Sequence, residues 1–437
     1  MRYFIACLFF AACFAFAGVG QSARAATYQV GPTRTYKKLQ DVAPLLAPGD
    51  LVEVDGNATY PGDLIFTVPG TAASKITIRG LRVNGLRPVI SGGTNTVEFR
   101  LSNYYVFEGF DVTGGSFRGI YHHAHGITIR DTVVHDCPAH GILGADTDSG
   151  SLTLEYVEVH HCGNGTGQHP VYMATDEFKY PGAVFRMQYC YLHDQRGGNN
   201  IKSRAERNEI YYNWVSGGFY GEIELIGPDP QGNKNVSTDT KREDSDVVGN
   251  VFQHVATQGT RMARVGSDGT GQTKGRYRFV NNTFILRQGQ VSPAIEIFEG
   301  IDSLEVHNNV FYRVGNEPID KVVLETRVRW VAGRVDVGTN NWIPTGSALI
   351  PTGWTNTVFG TNPNFVNLSA LDLRPAVGSA LIGAGNNAPA SPAGHPFINP
   401  LWPPAFHPPM HTLLAVGTAQ ARPSDGLIDI GAYEYAP

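Results

Sequence analysis

Five short segments with an apolar centre carry the residues best suited to chemistry: Gly119-Ile120-Tyr121, Gly141-Ile142-Leu143, Pro170-Val171-Tyr172, Asn200-Ile201-Lys202 and Glu222-Ile223-Glu224. Read as β-strands, they turn Ile120, Ile142, Val171, Ile201 and Ile223 inward and their neighbours outward, because strand side chains alternate. Stacked in parallel about 4.8 Å apart, they set Tyr172 above Lys202 and Lys202 above Glu224, with Asn200 and Glu222 alongside. Arg204 shares the face of Lys202, and His169 lies just ahead of Tyr172. This set suits β-elimination from a uronic-acid-containing polysaccharide. Such a reaction needs a base for the proton beside the carboxyl group, a cation for the carboxylate and an acid for the leaving glycosidic oxygen. Lys202 serves as the base if Arg204 lowers its pKa, Arg204 clamps the carboxylate through two bonds, and Tyr172 or His169 is the acid. Asn200, Glu222, Glu224, Tyr220 and Arg261 are the expected substrate-binding residues.

Rival readings use the same surface. Glu222 and Glu224 have backbones about 6.6 Å apart, within reach of the carboxyl spacing of inverting glycosidases, which would make a hydrolase. Hard carboxylate oxygens also suit calcium, the one cofactor these residues suggest. A non-catalytic glycan-binding protein should spread its contacts over many coils, whereas here the unusual residues gather on three. Lys202 and Glu224 could equally form an ordinary surface ion pair, which contributes at most roughly 1 kcal/mol. His135-Asp136, His160-His161 and His193-Asp194 form a separate column, read as a hydrogen-bonded stack at a turn rather than a metal site.

An eleven-residue pattern must position all of this. Its copies start at Ile76, Tyr104, Ile127, Leu152, Phe185, Asn208, Ser245, Tyr277 and Leu304, and the third position is apolar every time. The eighth is apolar from Val134 to Phe311, and the sixth becomes Asn213, Asn250, Asn282 and Asn309. Alternating strands at this period point to a β-solenoid whose stacked coils bury one core together. Asparagines in register predict a ladder of side-chain amides. The long connections at Thr175–Gly182 and Pro228–Glu243 lie beside the candidate surface and are expected to wall a groove.

The chain reads as a signal peptide over residues 1–25, an N-terminal cap and first coil over 26–75, repeats over 76–345, and a last coil with an irregular Pro-rich segment over 346–437. Thr35 to Leu46 reads as a short amphipathic helix, followed by Leu51-Val52-Glu53-Val54 as the opening rung. A secreted or periplasmic monomer without a membrane span is expected. The formal charge of −5 grows more negative once Arg2 and Arg24 leave, which argues against nucleic acid as a partner. An acidic polysaccharide must therefore meet local positive charge. Beyond the signal remain Cys137, Cys162 and Cys190, an odd count that argues against a disulfide framework.

The stacked-strand pattern, the asparagine ladder, the opening Tyr28-Gln29-Val30-Gly31-Pro32 and the closing Asp429-Ile430-Gly431-Ala432-Tyr433-Glu434 together resemble the pectate-lyase-like superfamily. That resemblance implies an all-β, single-stranded, right-handed parallel β-helix, a fold used by lyases, hydrolases, epimerases and adhesins. Asn200-Ile201-Lys202-Ser203, with Asn208, Ile210 and Asn213, is similar to the strand bearing a catalytic lysine in β-helix lyases of the chondroitinase-B and alginate-lyase kind. There the lysine follows calcium-binding acids, where this chain has Asn199 and Asn200, and Glu222 and Glu224 stand on the coil expected to bring an arginine. The paired aspartates and Gly-His-Gly of polygalacturonase-type hydrolases are not found.

Overall fold

The computed structural model describes residues 25–228, 243–257, 259, 261–268, 273–291, 293–298, 300–326, 334–397, 399 and 403–436. The expected signal peptide up to Arg24, and 229–242 of the second long connection, lie outside the described residues.

Each coil lays down one bent strand and one shorter strand, and parallel pairing between coils extends them into a 23-stranded and a 10-stranded sheet. The result is a right-handed parallel β-helix, the hand that parallel crossovers adopt. The bend falls at the fifth position of the pattern, where Asp131, Tyr156, Tyr189, Tyr212, Gly249, Asn281 and Asn308 have φ between 47° and 69°. A left-handed residue turns the chain without breaking the pairing on either side, at a cost of about 1–2 kcal/mol for a non-glycine. Two interactions offset that cost. Outside the bend, Tyr156, Tyr189 and Tyr212 stack at 4.9 and 5.8 Å. Inside it, each asparagine side-chain oxygen accepts both the backbone and the amide N–H of the asparagine one coil earlier. These bonds run at 2.9–3.1 Å from Asn213 through Asn250, Asn282 and Asn309 to Asn341. Cys190 heads the same column and donates its N–H to Asn213 Oδ1.

The third and eighth positions fill the interior, with one correction: the second copy starts at Tyr105, so Phe107 points inward and Val106 does not. Ile78, Ile129, Leu154, Met187, Ile210, Val247, Phe279 and Val306 are fully buried, and Phe252, Phe284 and Phe311 stack ring on ring at 5.3 and 5.0 Å. Cys137, Cys162 and Cys190 are buried free thiols.

At the N-terminus two details differ from expectation. Thr27–Val30 pairs with Leu51–Asp55 and is the true opening rung. The amphipathic helix is two 3₁₀ turns, Leu39–Asp41 and Ala43–Leu45, because Pro44 has no N–H to continue a helical ladder. Beyond Val358–Gly360 the chain lies along the outside of the bends. There Ile430, Ala432 and Tyr433 pack on Trp214, Val251, Val310 and Trp342, and Arg422 binds Glu434 at 2.6 Å.

Candidate active site

The ten-stranded sheet runs from Leu64–Phe66 through Asn95–Arg100, Arg118–His123, His140–Gly144, Val171–Ala174, Asn199–Arg204, Gly221–Leu225, Ala263–Val265 and Ile295–Ile297 to Val323–Glu325. Ile120, Ile142, Val171, Ile201 and Ile223 point into the core with at most 1 % exposure. The opposite face carries one registered column: Glu98, Tyr121, Leu143, Tyr172, Lys202, Glu224, Arg264 and Glu296.

Lys202 Nζ lies 3.3 Å from Glu224 Oε2 and 5.4 Å from the centre of the Tyr172 ring. Glu224 is nearly buried. Its Oε2 also accepts the Asn199 amide at 2.9 Å, and its Oε1 lies 2.9 Å from Arg264 Nη1. Burial pushes this carboxyl up, but Lys202, Arg264 and Arg261 together outweigh burial and hold it below the ordinary carboxylate value. Lys202 is thus engaged by the Glu224 carboxylate, an arrangement that suits the supply of positive charge. This changes the role expected of Lys202.

Arg204 does face Tyr172, yet it cannot clamp a substrate as expected. Its Nε donates to Tyr172 Oη at 2.9 Å, Nη1 donates to the Gly227 carbonyl at 2.6 Å, and Nη2 pairs with Asp268. Its donors are committed to the protein, and its side chain is 5 % exposed. What it does is hold a cation on the tyrosine oxygen, which stabilises that oxygen when it carries negative charge.

His169 is buried between strands. Its Nδ1 accepts the Asn199 N–H at 3.0 Å, and its own backbone N–H donates to His140 Nδ1 at 3.1 Å. Burial, reinforced by Lys202, His140 and Arg204, holds His169 well below its usual value, and burial pushes His140 down to about 4. Both rings are therefore neutral near pH 7, and the bond that His169 Nδ1 accepts places the His169 proton on Nε2. A neutral imidazole donates a hydrogen bond but is a poor acid, which corrects the expected acid role of His169.

Asn200 and Glu222 are not on the substrate face. Glu222 is fully buried at the corner, where the turn through Gly218 brings a backbone N–H to its carboxylate at 3.1 Å. It also takes the Asn200 amide at 2.7 Å and His254 Nδ1 at 2.9 Å. Strand alternation fails there because the side chain satisfies turn donors. Glu222 and Glu224 thus form neither an exposed carboxylate pair for hydrolysis nor a shared calcium site. Among the described residues no group of three or more His, Cys, Asp or Glu side chains is arranged to hold a metal ion. Tyr220 and Arg261 do meet. Arg261 Nη2 donates to Tyr220 Oη at 2.9 Å, and Nη1 lies 2.9 Å from Glu296.

Sequence reasoning missed Arg264, Glu296 and His140. Extending the strand alignment by two coils would have found the first two, since Met262-Ala263-Arg264-Val265 and Ala294-Ile295-Glu296-Ile297 repeat the apolar centre. The Thr175–Gly182 connection folds toward earlier coils, with Tyr180 stacked on His125 at 4.7 Å. The histidine column is a stack: His135, His160 and His193 lie 4.9 and 5.0 Å apart. Hydrogen bonding to Asp111, with Asp136, pushes His135 up to about 9, while burial beside two histidines pushes His160 down to about 4.

No known family model matches the sequence, and no curated protein matches it. Among solved structures, pectate lyase Pel9A superposes with a TM-score of 0.50 at 12 % identity, covering 94 % of this chain and 96 % of its own. A rhamnogalacturonan lyase gives 0.43 at 13 %, covering 79 % and 92 %. An alginate lyase from Paenibacillus sp. str. FPU-7 gives 0.35 at 16 %, covering 71 % and 97 %. The fold is a parallel β-helix, shared with the pectate lyase over nearly the whole chain. At such identity the likeness carries the fold and no residue roles.

Proposed function

We propose that this protein is a secreted polysaccharide lyase that cleaves a uronic-acid-containing polymer by β-elimination on the face centred on Lys202. The observation that carries this reading is the junction of Lys202 and Tyr172 on adjacent strands, with His169 just ahead of the Tyr172 strand and Arg204 bonded to the tyrosine oxygen.

Lys202, with Arg264 across Glu224, supplies positive charge for the uronate carboxylate, so that negative charge can develop on the neighbouring carbon. Tyr172, entering the reaction as the phenolate that Arg204 favours, takes the proton from that carbon. The electron pair of the broken C–H bond becomes the new C=C bond, and the C–O bond to the leaving sugar breaks. Tyr172 then returns the proton to the leaving oxygen. His169 Nε2–H donates a hydrogen bond and exchanges no proton. Tyr220 offers a ring for a neighbouring sugar.

The test incubates the protein with a panel of uronate polymers and follows ultraviolet absorbance from unsaturated ends. Tyr172→Phe and Lys202→Ala should each lower the rate by at least roughly 100-fold. New reducing ends without that absorbance would instead establish hydrolysis, and undiminished elimination by Tyr172→Phe would remove the tyrosine from the mechanism.

A further inference from the structure

Three coils before Lys202, on the same face, sits an arginine that behaves unlike its neighbours. Arg100 pairs with Glu98, Arg204 with Asp268, Arg261 with Glu296 and Arg264 with Glu224. Arg118 makes no ion pair among the described residues. Its Nη1 donates to Asn95 Oδ1 at 3.1 Å, and its Nε is buried without a partner. The guanidinium carbon lies 4.0 Å from the centres of both the Phe117 and Tyr121 rings, which pinch it in place. The carboxylate on the neighbouring coil, Glu98, is already held by Arg100, His123 and Asn95.

A half-buried guanidinium that lacks an anion has a desolvation cost that a bound carboxylate would offset. Its planar fork matches a carboxylate in two places, and Phe117, 36 % exposed, presents an apolar edge for a sugar ring. This place is continuous with the candidate active site. Arg118 is registered against His140, His140 lies 6.2 Å from His169, and His169 lies 5.3 Å from Tyr172. Three strand spacings separate the coils of Arg118 and Lys202, about 14 Å, and a pyranose ring occupies about one such spacing.

We propose that Arg118, Phe117 and Tyr121 form a second uronate subsite about three sugars from the reacting one, so that the protein selects chains carrying acidic sugars at both places. This rests on the lyase reading for its substrate class.

The experiment separates the two ideas by using binding as well as cleavage. In the Lys202→Ala protein, affinity for a polyuronate and for a uronate disaccharide is measured with and without Arg118→Gln, with a neutral polysaccharide as control. Arg118→Gln should weaken polyuronate binding roughly ten-fold, as expected for one charge-assisted contact. It should leave the disaccharide unchanged and flatten the dependence on salt. In the otherwise wild-type enzyme it should raise KM for the polymer and leave kcat alone. Phe117→Ala, at an exposed position, should shift polymer binding in the same direction, so the idea stays testable if Arg118→Gln folds poorly. Polyuronate affinity unchanged by both variants would overturn the subsite, as would equal losses on disaccharide and polymer. If the wild-type protein cleaves no uronate polymer but its binding depends on Arg118, the lyase reading falls and the subsite stands. If cleavage is abolished by Lys202→Ala and indifferent to Arg118→Gln on every chain length, the subsite falls and the lyase reading stands.

Discussion

Lys202 and Glu224 touch each other, yet their removal should have unequal consequences for folding. Replacing Lys202 by alanine leaves Glu224 with Arg264 at 2.9 Å and the Asn199 amide at 2.9 Å. The loss is one ion pair whose carboxylate keeps two other donors, and a contact with the Tyr172 ring, about 1 kcal/mol. Replacing Glu224 by glutamine keeps the shape but leaves two cations, Lys202 at 16 % and Arg264 at 9 % side-chain exposure, facing a neutral group. Removing the shared partner of buried charges costs about 3–5 kcal/mol. Urea midpoints read by circular dichroism, with the slope checked for constancy, give both values. The double variant should be less destabilised than the sum of the singles, because Lys202→Ala removes one of the stranded cations. Activity should run the other way, with the stable Lys202→Ala protein inactive. If Lys202→Ala proves as destabilising as Glu224→Gln, the lysine is scaffold and its assignment to chemistry is refuted.

Asn250→Ala removes the amide that donates to the Ile210 carbonyl and Asn282, and the oxygen that accepts two bonds from Asn213, all in the fully buried ladder. It should cost about 3 kcal/mol by urea unfolding, whereas a cost under about 1 kcal/mol would mean that the ladder adds little. His122 and His140 are pushed down to about 4, chiefly by burial, and His169 is held well below its usual value. Depressed folded values mean that the unfolded chain takes up protons first. The contribution of these rings should therefore be complete above pH 6.5 and fall as the pH drops from there towards 4, by roughly 1.4 kcal/mol per pH unit for each such histidine. His135, raised to about 9, instead contributes stability that is full below pH 6.5 and lost as the pH rises towards 9. Glu224, whose folded value lies below 4.5, adds its own loss only below that pH. A melting temperature constant between pH 6.5 and 5 would contradict the neutral, buried state of these rings, and His122→Gln should reduce the slope.

The apolar third and eighth positions were legible because they face the same core in coil after coil, except in the second copy, which starts at Tyr105 so that Phe107 and not Val106 is the core residue. The asparagines were legible because one chemical type recurs in register. The left-handed fifth position was not, since Asp131, Tyr156, Gly249 and Asn281 share a backbone conformation and no side-chain chemistry. Tyr172, Lys202 and Glu224 were placed correctly on one column because their strand interiors alternate regularly. Glu222 and Asn200 were misplaced for the opposite reason: at a corner, turn donors decide where a side chain goes. The sequence named Arg204 but not its partners, because Asp268 and Gly227 arrive from connections that no period governs. Arg264 was hidden by the long connection after Glu224, which interrupts the spacing.

Along the outward column the charges from Lys202 to Glu296 alternate in sign and satisfy one another: Lys202 with Glu224, Glu224 with Arg264, and Glu296 with the nearby Arg261. A polyanion approaching this stretch must compete with carboxylates already in place. Binding there gains little net charge interaction, because each cation the substrate recruits is one that Glu224 or Glu296 must share. What a substrate can gain is a contact made as the reaction proceeds. Negative charge spreading from the uronate carboxylate toward the proton-losing carbon meets Lys202 and Arg264 most strongly when it is greatest, which favours the transition state over the bound sugar. Affinity must then come from elsewhere on the face. Arg118, which pairs with no carboxylate among the described residues, is positioned to provide it, so that binding and chemistry are divided between two ends of one sheet.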